Sequence, residues 1–168
     1  MSANIVLTGM MGAGKSTIGK ALSKILKDYT FIDVDNVIVD IEGMTISEIF
    51  EKKSEEYFRI IEKEIIQELS QEEDLIIALG GGAYENKETR EILEENCKVI
   101  YLKSTVDRLF NRIKDDKNRP LLQCENPKSK LKELLKLREP NYLKAEYIIE
   151  TDNKNIDEIT KEIIEMVL

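Results

Sequence analysis

The chain has 168 residues, a formal net charge of −8 and no histidine. This length suits one α/β domain with its own core, and the lack of histidine excludes Ser-His-Asp triads, HExxH metal sites and a histidine general base. No apolar run approaches the roughly 18 residues of a membrane span, the first residues resemble no signal peptide, and an acidic chain binds nucleic acid and anionic membranes poorly, so we expect a cytoplasmic protein with neither partner.

Short apolar runs alternate with amphipathic segments along the whole chain. The runs predict buried strands at 4–8, 30–33, 75–79, 98–102 and 146–150. Helices are predicted at 15–26, after a capping box at Thr45 and Glu48, at 54–69, after Ser104 as N-cap, from Pro127 onward, and near the last residues. Residues 112–125 are charged and aperiodic, which predicts a loop. The alternation is typical of one α/β domain, 1–168, with a central five-stranded parallel sheet flanked by helices on both faces.

A glycine-rich loop lies between the first predicted strand and the first predicted helix. Gly9-Met-Met-Gly12-Ala-Gly14-Lys15-Ser16 matches G-x-x-x-x-G-K-[ST] in the context that the motif requires. Backbone N–H groups of such a loop can surround phosphate oxygens, Lys15 should reach the β- and γ-phosphates, and Ser16 should ligate Mg²⁺. The residues predicted to bind ATP here are Gly12, Ala13, Gly14, Lys15, Ser16 and Thr17.

Two aspartates, Asp33 and Asp35, close the second predicted strand. In an extended segment, residues two apart point to the same side, so both carboxylates should face the phosphate site. One could organise water around Mg²⁺, and the other could orient an acceptor hydroxyl and take its proton. The alternative is an aspartate pair that caps the next helix.

Glycines and arginines supply the remaining candidates. Gly80-Gly81-Gly82 follows the third predicted strand, and three glycines let backbone approach a ligand closely. Arg59 and Arg138 carry guanidinium forks that suit a small carboxylate substrate. Arg119 lies in the charged loop, and a loop that folds over ATP can bring an arginine to the transferring phosphoryl group. The alternative for each arginine is a solvated surface cation.

Taken together and in this order, these segments resemble the shikimate kinase family over nearly the whole chain. The matching segments are GMMGAGKST at 9–17, FIDVD at 31–35, FR at 58–59, GGGA at 80–83, RPLL at 119–122 and R-x-P-x-Y at 138–142. The resemblance implies a P-loop kinase fold with a mobile lid at about 112–125 and substrate-binding helices at about 34–62. It further implies ATP-dependent phosphorylation of the 3-hydroxyl of shikimate, in aromatic amino-acid biosynthesis.

The resemblance also implies roles for individual residues. The shikimate contacts would be Asp35, Arg59, Gly81 and Arg138, the two arginines facing the carboxylate. The residues near Mg²⁺ would be Ser16 and Asp33, while Arg119 would lie in the lid and Asn153 in the adenine-side loop. The expected catalytic residues are Lys15, Asp35 and Arg119. The expected partners are ATP and shikimate alone, and the expected cofactor is Mg²⁺. The chain is expected to be a monomer.

One segment departs from the family pattern, which carries a glutamate shortly after the second aspartate in a D-x-x-I-E run. Here the run from Asp35 is Asp-Asn-Val-Ile-Val, and Asp40 comes next. The departure weakens any role assigned to that acid and leaves the other expected residues in place.

Two other kinds of function fit a P-loop. A gluconate or nucleoside monophosphate kinase would share the loop, but not the Asp-x-Asp, the triple glycine and the paired arginines in this order. A nucleotide-dependent switch or binding module would use ATP or GTP to change its affinity for a partner. A GTPase of this kind should carry an N-K-x-D motif that reads the base, whereas Asn153-Lys154-Asn155 lacks the aspartate in place. The sequence therefore favours a metabolite kinase.

Overall fold

The computed structural model describes residues 3–116, 119 and 123–168, and its centre is one parallel β-sheet. The strands are β1 (Asn4–Thr8), β2 (Thr30–Asp33), β3 (Leu75–Ala78), β4 (Cys97–Lys103) and β5 (Tyr147–Glu150). They lie in the order β2-β3-β1-β4-β5, and every neighbouring pair is parallel. The predicted five-stranded parallel sheet is thus confirmed.

Helices cover the sheet and account for most of the remaining chain. They are α1 (Lys15–Ile25), α2 (Val34–Glu42), α3 (Ile46–Lys52), α4 (Glu55–Ser70), α5 (Lys87–Asn96), α6 (Val106–Ile113), α7 (Pro127–Tyr142) and α8 (Ile156–Val167). Helix α1 packs against α8 and the sheet, whereas α5 packs against β4 and α4. Within the described residues, none of the helices combines the length and the apolar character that crossing a membrane requires.

The apolar runs form strands because both faces of the central strands are covered. Every residue of β1 is buried, and Ile76 and Ile77 of β3 and Val99 and Ile100 of β4 are fully buried. Continuous branched side chains suit a strand that helices enclose on both sides. The carboxyl ends of these strands meet at one edge of the sheet, where ligands of such folds bind.

The prediction of an extended segment from Asp33 to Asp35 was wrong. Helix α2 begins at Val34, and Asp33 is its N-cap, with side-chain Oδ1 accepting from the backbone N–H groups of Asp35 (3.0 Å) and Asn36 (3.4 Å). A carboxylate that satisfies the free N–H groups of a first turn stabilises a helix there, and this competes successfully with a longer strand.

Two further local predictions were wrong. Ser104 does not cap α6, because its hydroxyl donates to Asp152 Oδ1 at 2.6 Å, and Thr105 is the N-cap without a side-chain bond. Helix α5 was not predicted, since only two of its ten residues, Ile92 and Leu93, are apolar. The capping box of Thr45 and Glu48 is confirmed.

The predicted loop at 112–125 is only partly described. Helix α6 continues to Ile113, and Asn126 caps α7 as predicted, with its side chain accepting from the N–H of Ser129 at 3.2 Å. The residues of the segment that lie outside the description are 117, 118 and 120–122, which include most of the RPLL motif.

Candidate active site

A cavity of about 480 Å³ opens at the carboxyl edge of the sheet. Its wall is formed by the glycine-rich loop after β1, the end of β2 and the three glycines after β3. Ten of the predicted site residues lie on its wall: Gly12, Ala13, Gly14, Lys15, Ser16, Thr17, Asp33, Asp35, Arg59 and Gly81. Arg119 and Arg138 also line it, so the fold brings together residues that are far apart in the sequence.

The glycine-rich loop has the backbone geometry of an anion cradle. Gly12 and Gly14 adopt φ values of +82° and +92°, which side-chain-bearing residues rarely adopt, and Gly14 caps the first turn of α1. A Cβ at Gly12 would lie 2.9 Å from the carbonyl oxygen of Leu109, so α6 packs directly on the loop. The N–H groups and the positive end of α1 therefore converge on one point, where a phosphate is stabilised.

Lys15 folds back over the loop. Its Nζ donates to the carbonyl oxygens of Gly9 (2.5 Å) and Met10 (3.1 Å). Burial lowers the pKa of Lys15 from 10.5 to about 8; Asp35 partly offsets this, while Arg119 lowers the pKa further. The protein therefore compensates the positive charge of this ammonium only in part, and the phosphates of a nucleotide would supply the missing negative charge.

This lowered pKa predicts that nucleotide binding takes up a proton in mildly alkaline solution. Phosphates favour the charged amine, and if they restore its pKa to the ordinary value, roughly three quarters of a proton should enter per nucleotide at about pH 8.5. Near pH 6.5, Lys15 is charged in both states and its contribution should vanish. Calorimetric titration with MgADP, in buffers of different ionisation enthalpy, measures the uptake at both values. Equal proton uptake at the two pH values would contradict the prediction.

Ser16 and Asp33 form a paired oxygen site beside Lys15. The Ser16 hydroxyl donates to Asp33 Oδ2 at 2.5 Å, while Asp33 Oδ1 caps α2. Among the described residues, no group of three or more His, Cys, Asp or Glu side chains could hold a metal ion. Two oxygen ligands suit Mg²⁺, which usually binds one or two protein oxygens, substrate phosphates and water. The alternative of an aspartate pair that caps the next helix is correct for Asp33 and wrong for Asp35, which lies within the first turn of α2.

Asp35 presents a carboxylate oxygen to the cavity. Its Oδ1 is buried and has no hydrogen-bond partner among the described residues. Burial raises the pKa of Asp35, and nearby Asp33 raises it further, while Lys15 and Arg119 lower it. A buried acceptor without a partner is costly, so this oxygen is suited to accept a hydrogen bond from a ligand hydroxyl.

The three glycines after β3 bring the backbone against the charged groups of the site. A Cβ at Gly80 would lie 2.9 Å from both Asp35 Oδ1 and Glu62 Oε2. One at Gly81 would lie 3.3 Å from Arg138 Nη1. Glycine is needed here to leave room for the carboxylates and the guanidinium, and the backbone need not be strained, since none of the three has a positive φ.

Arg59 lies against the third glycine and is held by two glutamates. A Cβ at Gly82 would collide with the guanidinium of Arg59. Arg59 Nη1 donates to Glu62 Oε1 at 2.8 Å, and Arg59 Nη2 donates to Glu55 Oε1 at 3.4 Å. Burial raises the pKa of Glu62, and Arg59 lowers it. Sequence reasoning missed Glu62, although its spacing of three residues from Arg59 on one helix could have indicated the pair.

The two remaining candidates differ in their surroundings. Arg119 lines the cavity, with Nε 3.0 Å from Asp116 Oδ2. Asn153 does not line the cavity, and its Oδ1 accepts from Arg108 Nη2 at 2.9 Å. A second cavity of about 660 Å³ adjoins the glycine-rich loop, and its wall includes Gly14, Thr17, Thr151, Lys154 and Asn155.

Arg112 is another residue that sequence reasoning did not assign to the site. It lines both cavities, and its Nη1 donates to the carbonyl oxygen of Gly12 at 2.9 Å. Nothing local in the sequence distinguishes it from the neighbouring cations of the charged segment. Its position depends on α6 lying over the glycine-rich loop.

Comparisons with known proteins agree on one family. The family model described as shikimate kinase matches residues 11–168. A shikimate kinase of Caldanaerobacter subterraneus is 42% identical over 161 residues, which cover 96% of this chain and 94% of that protein. A shikimate kinase of Actinobacillus pleuropneumoniae is 44% identical over 165 residues, with 98% and 95% covered.

Solved structures are similar over the same extent. The Acinetobacter baumannii shikimate kinase, solved in complex with shikimate, superposes with a TM-score of 0.95 and 41% identity, covering 99% of this chain and 93% of that one. A gluconokinase of Sinorhizobium meliloti has a TM-score of 0.61 at 18% identity, with 98% and 93% covered. That second likeness extends to the fold alone.

Proposed function

The chain belongs to the shikimate kinase family, and we propose that it transfers the γ-phosphoryl group of ATP to the 3-hydroxyl of shikimate. The products are shikimate 3-phosphate and ADP, in aromatic amino-acid biosynthesis. The observation that carries this proposal is the shared cavity, in which a phosphate cradle adjoins a buried carboxylate and two arginines. The relative solved with shikimate supports the choice of acceptor.

On the nucleotide side, the protein supplies backbone donors and positive charge. The loop from Gly12 to Thr17 binds the phosphates through N–H groups, and Lys15 leaves its carbonyl partners to contact the β- and γ-phosphates. Arg119 stabilises the charge on the transferring group. We also propose that residues 112–125 form the mobile lid that delivers it, and that Asn153 belongs to the adenine side.

Mg²⁺ fits beside the phosphates. Ser16 and Asp33 would hold it, Ser16 through its hydroxyl and Asp33 directly or through water, because their oxygens already lie 2.5 Å apart. When bound, the ion neutralises charge on the phosphate oxygens. Asp33 would hold the ion through Oδ2, because its Oδ1 caps α2.

On the acceptor side, arginines orient the substrate and a carboxylate takes its proton. Arg59 and Arg138 bind the carboxylate of shikimate, and the backbone of Gly81 contacts the ring. Asp35 accepts the proton of the 3-hydroxyl as the hydroxyl oxygen bonds to the γ-phosphorus. At the same time the bond between that phosphorus and the β–γ bridging oxygen breaks, and ADP leaves. Because the transition state is loose, alignment by Asp35 contributes alongside proton removal.

We further propose that the chain works as a cytoplasmic monomer whose only partners are ATP, Mg²⁺ and shikimate. Residues 1–168 form one domain, and all the proposed contacts come from one chain. The helices within 34–62 carry the acceptor contacts Asp35 and Arg59. The charge of −8 opposes binding to nucleic acid and anionic lipid.

An acceptor panel tests the proposed reaction. ADP release from the purified chain with MgATP should be fast with shikimate and close to the acceptor-free rate with gluconate and nucleoside monophosphates. Preference for gluconate would favour a gluconate kinase, and nucleotide binding without transfer to any acceptor would favour a binding switch.

Gly82→Ala should weaken shikimate binding without harming the fold. The backbone at Gly82 has φ −96°, which alanine adopts readily, so the main consequence is that Cβ displaces the flexible end of Arg59. The shikimate KM should rise about tenfold, the loss of one charge-assisted pair, with little change in the ATP KM. Because the effect acts through Arg59, the variant with both Gly82→Ala and Arg59→Ala should be no worse than Arg59→Ala alone. If the two substitutions raised the shikimate KM additively, the effect of Gly82→Ala would not act through Arg59.

Arg138→Ala should raise the shikimate KM strongly and the ATP KM much less. The guanidinium is buried in the cavity wall, and a lost charge-assisted pair costs roughly 1.5–3 kcal/mol, or about tenfold to a hundredfold in KM. Lys136→Ala, an exposed substitution on the same helix, is the control and should leave both constants unchanged. Equal effects of Arg138→Ala on both substrates would mean that Arg138 does not bind the carboxylate.

A further inference from the structure

Tyr142 places one hydroxyl between the two halves of the site. It is the last residue of α7, its side chain is fully buried, and its O–H donates to the carbonyl oxygen of Gly81. The same hydroxyl lies 3.6 Å from Met10 Sδ in the glycine-rich loop. None of the roles described above uses this residue.

Gly81 is the point where the nucleotide loop and the acceptor site meet. A Cβ on it would lie 3.3 Å from Arg138 Nη1, 3.5 Å from the backbone nitrogen of Met11 and 3.8 Å from the carbonyl oxygen of Gly9. A shift of Gly81 therefore changes the space available to Arg138 and its distance from the phosphate cradle at the same time.

Tyr142 and Arg138 act on this point from the same helix. They are four residues apart, one turn of α7, so their side chains lie on one face. Arg138 also interacts with the Tyr142 hydroxyl: burial raises the pKa of Tyr142, and Arg138 lowers it. The net shift is upward, so the hydroxyl remains a proton donor to Gly81 throughout the neutral range.

The ring of Tyr142 fills the core independently of its hydroxyl. It stacks on Tyr101 with centroids 4.9 Å apart and planes at 24°. A phenylalanine would occupy the same space and keep the stack, so packing alone does not require the O–H group. A buried hydroxyl needs a partner, and here the partner belongs to the substrate-binding turn.

We propose that the Tyr142 hydroxyl is a positioning group, which fixes the Gly81 turn and Arg138 relative to the glycine-rich loop and so sets how the acceptor lies against the γ-phosphate. This deepens the proposed function and rests on it. Tyr142 acts through Gly81 and Arg138 and not by touching a substrate.

Matched removal of two hydroxyls tests the proposal. Tyr142→Phe should raise the shikimate KM roughly tenfold, because the Gly81 carbonyl loses its donor, and should leave the ATP KM within about twofold. Tyr101→Phe is the control: it removes the other hydroxyl of the same ring stack, which donates to Glu139 Oε2 at 3.3 Å and not to the glycine turn. It should leave both KM values unchanged.

Thermal unfolding of both variants separates positioning from general loosening. If Tyr142→Phe leaves the shikimate KM unchanged, or if Tyr101→Phe raises it equally at the same loss of Tm, the proposal is overturned. The double variant with Arg138→Ala and Tyr142→Phe is a second check. Once the Arg138 guanidinium is absent, Tyr142→Phe should have little further effect on the shikimate KM. An undiminished further effect would contradict action through Arg138.

Hydrogen exchange keeps the test independent of the substrate assignment. The Ala83 amide bonds to the Gly80 carbonyl at 3.1 Å within the same turn. Its exchange should be at least about threefold faster in Tyr142→Phe and unchanged in Tyr101→Phe. If the wild-type chain does not phosphorylate shikimate, the proposed function fails while this result still decides the positioning role. Unchanged exchange in Tyr142→Phe would overturn that role.

Discussion

Replacing Lys15 by alanine is expected to abolish phosphoryl transfer while leaving the fold intact. The ammonium is the charge that the loop can offer to the β- and γ-phosphates, and losing such a group removes stabilisation that is strongest in the transition state. We expect kcat/KM to fall by at least about 10³-fold.

The expected stability of this variant follows from the surroundings of Lys15. Within the described residues, Nζ of Lys15 donates to the carbonyl oxygens of Gly9 and Met10. Burial of the charge is unfavourable, and this lowers the pKa of Lys15 to about 8. Tm should therefore not decrease. Lys20→Ala, an exposed lysine on the same helix, is the control and should retain full activity. Turnover at the wild-type rate with normal ATP affinity in Lys15→Ala would remove Lys15 from the mechanism.

Asp35→Asn is expected to lower kcat by at least about 10²-fold with ATP binding nearly unchanged. Asparagine keeps the size and can still accept a hydrogen bond, but it can neither take the proton nor supply negative charge. The chain has no histidine to replace it as base. The oxygen concerned, Asp35 Oδ1, is buried and has no protein partner within the described residues, so a substrate hydroxyl would be its natural donor.

The control for this substitution lies on the same helix. Asp40→Asn changes an exposed carboxylate of α2 that does not line the cavity, and it should leave kcat unchanged. This also tests the segment that departs from the family pattern. If Asp35→Asn kept more than a tenth of wild-type kcat with shikimate saturating, Asp35 would be neither the base nor the anchor of the hydroxyl.

Local sequence signals identified the features of the fold whose physical cause is itself local. The run Asn4–Thr8 predicted a strand because its three central residues are apolar, and the glycine-rich loop was identified because its residue types determine its geometry. The capping box of Thr45 and the proline at the start of α7 were found for the same reason. The alternation of strands and helices along the chain predicted the parallel sheet, and the family resemblance added the expectation of a P-loop kinase fold.

Features that depend on tertiary contacts could not be predicted in this way. Asp33 and Asp35 line one cavity as expected, but through a helix cap and a first helical turn and not through strand alternation. The roles of Glu62 and Tyr142 depend on tertiary packing, because the middle of α4 and the end of α7 lie beside the three glycines. The individual roles of the site residues remain predictions, which the substitutions above would test one at a time.

The identity of the phosphorylated product decides whether the chain catalyses the proposed reaction. The purified chain would be incubated with MgATP and shikimate, and the product examined by phosphorus NMR with correlation to ring protons. We expect one phosphomonoester, coupled to the proton on C3, formed in equal amount to ADP. A phosphate on another hydroxyl, or ADP formed with inorganic phosphate alone, would contradict it.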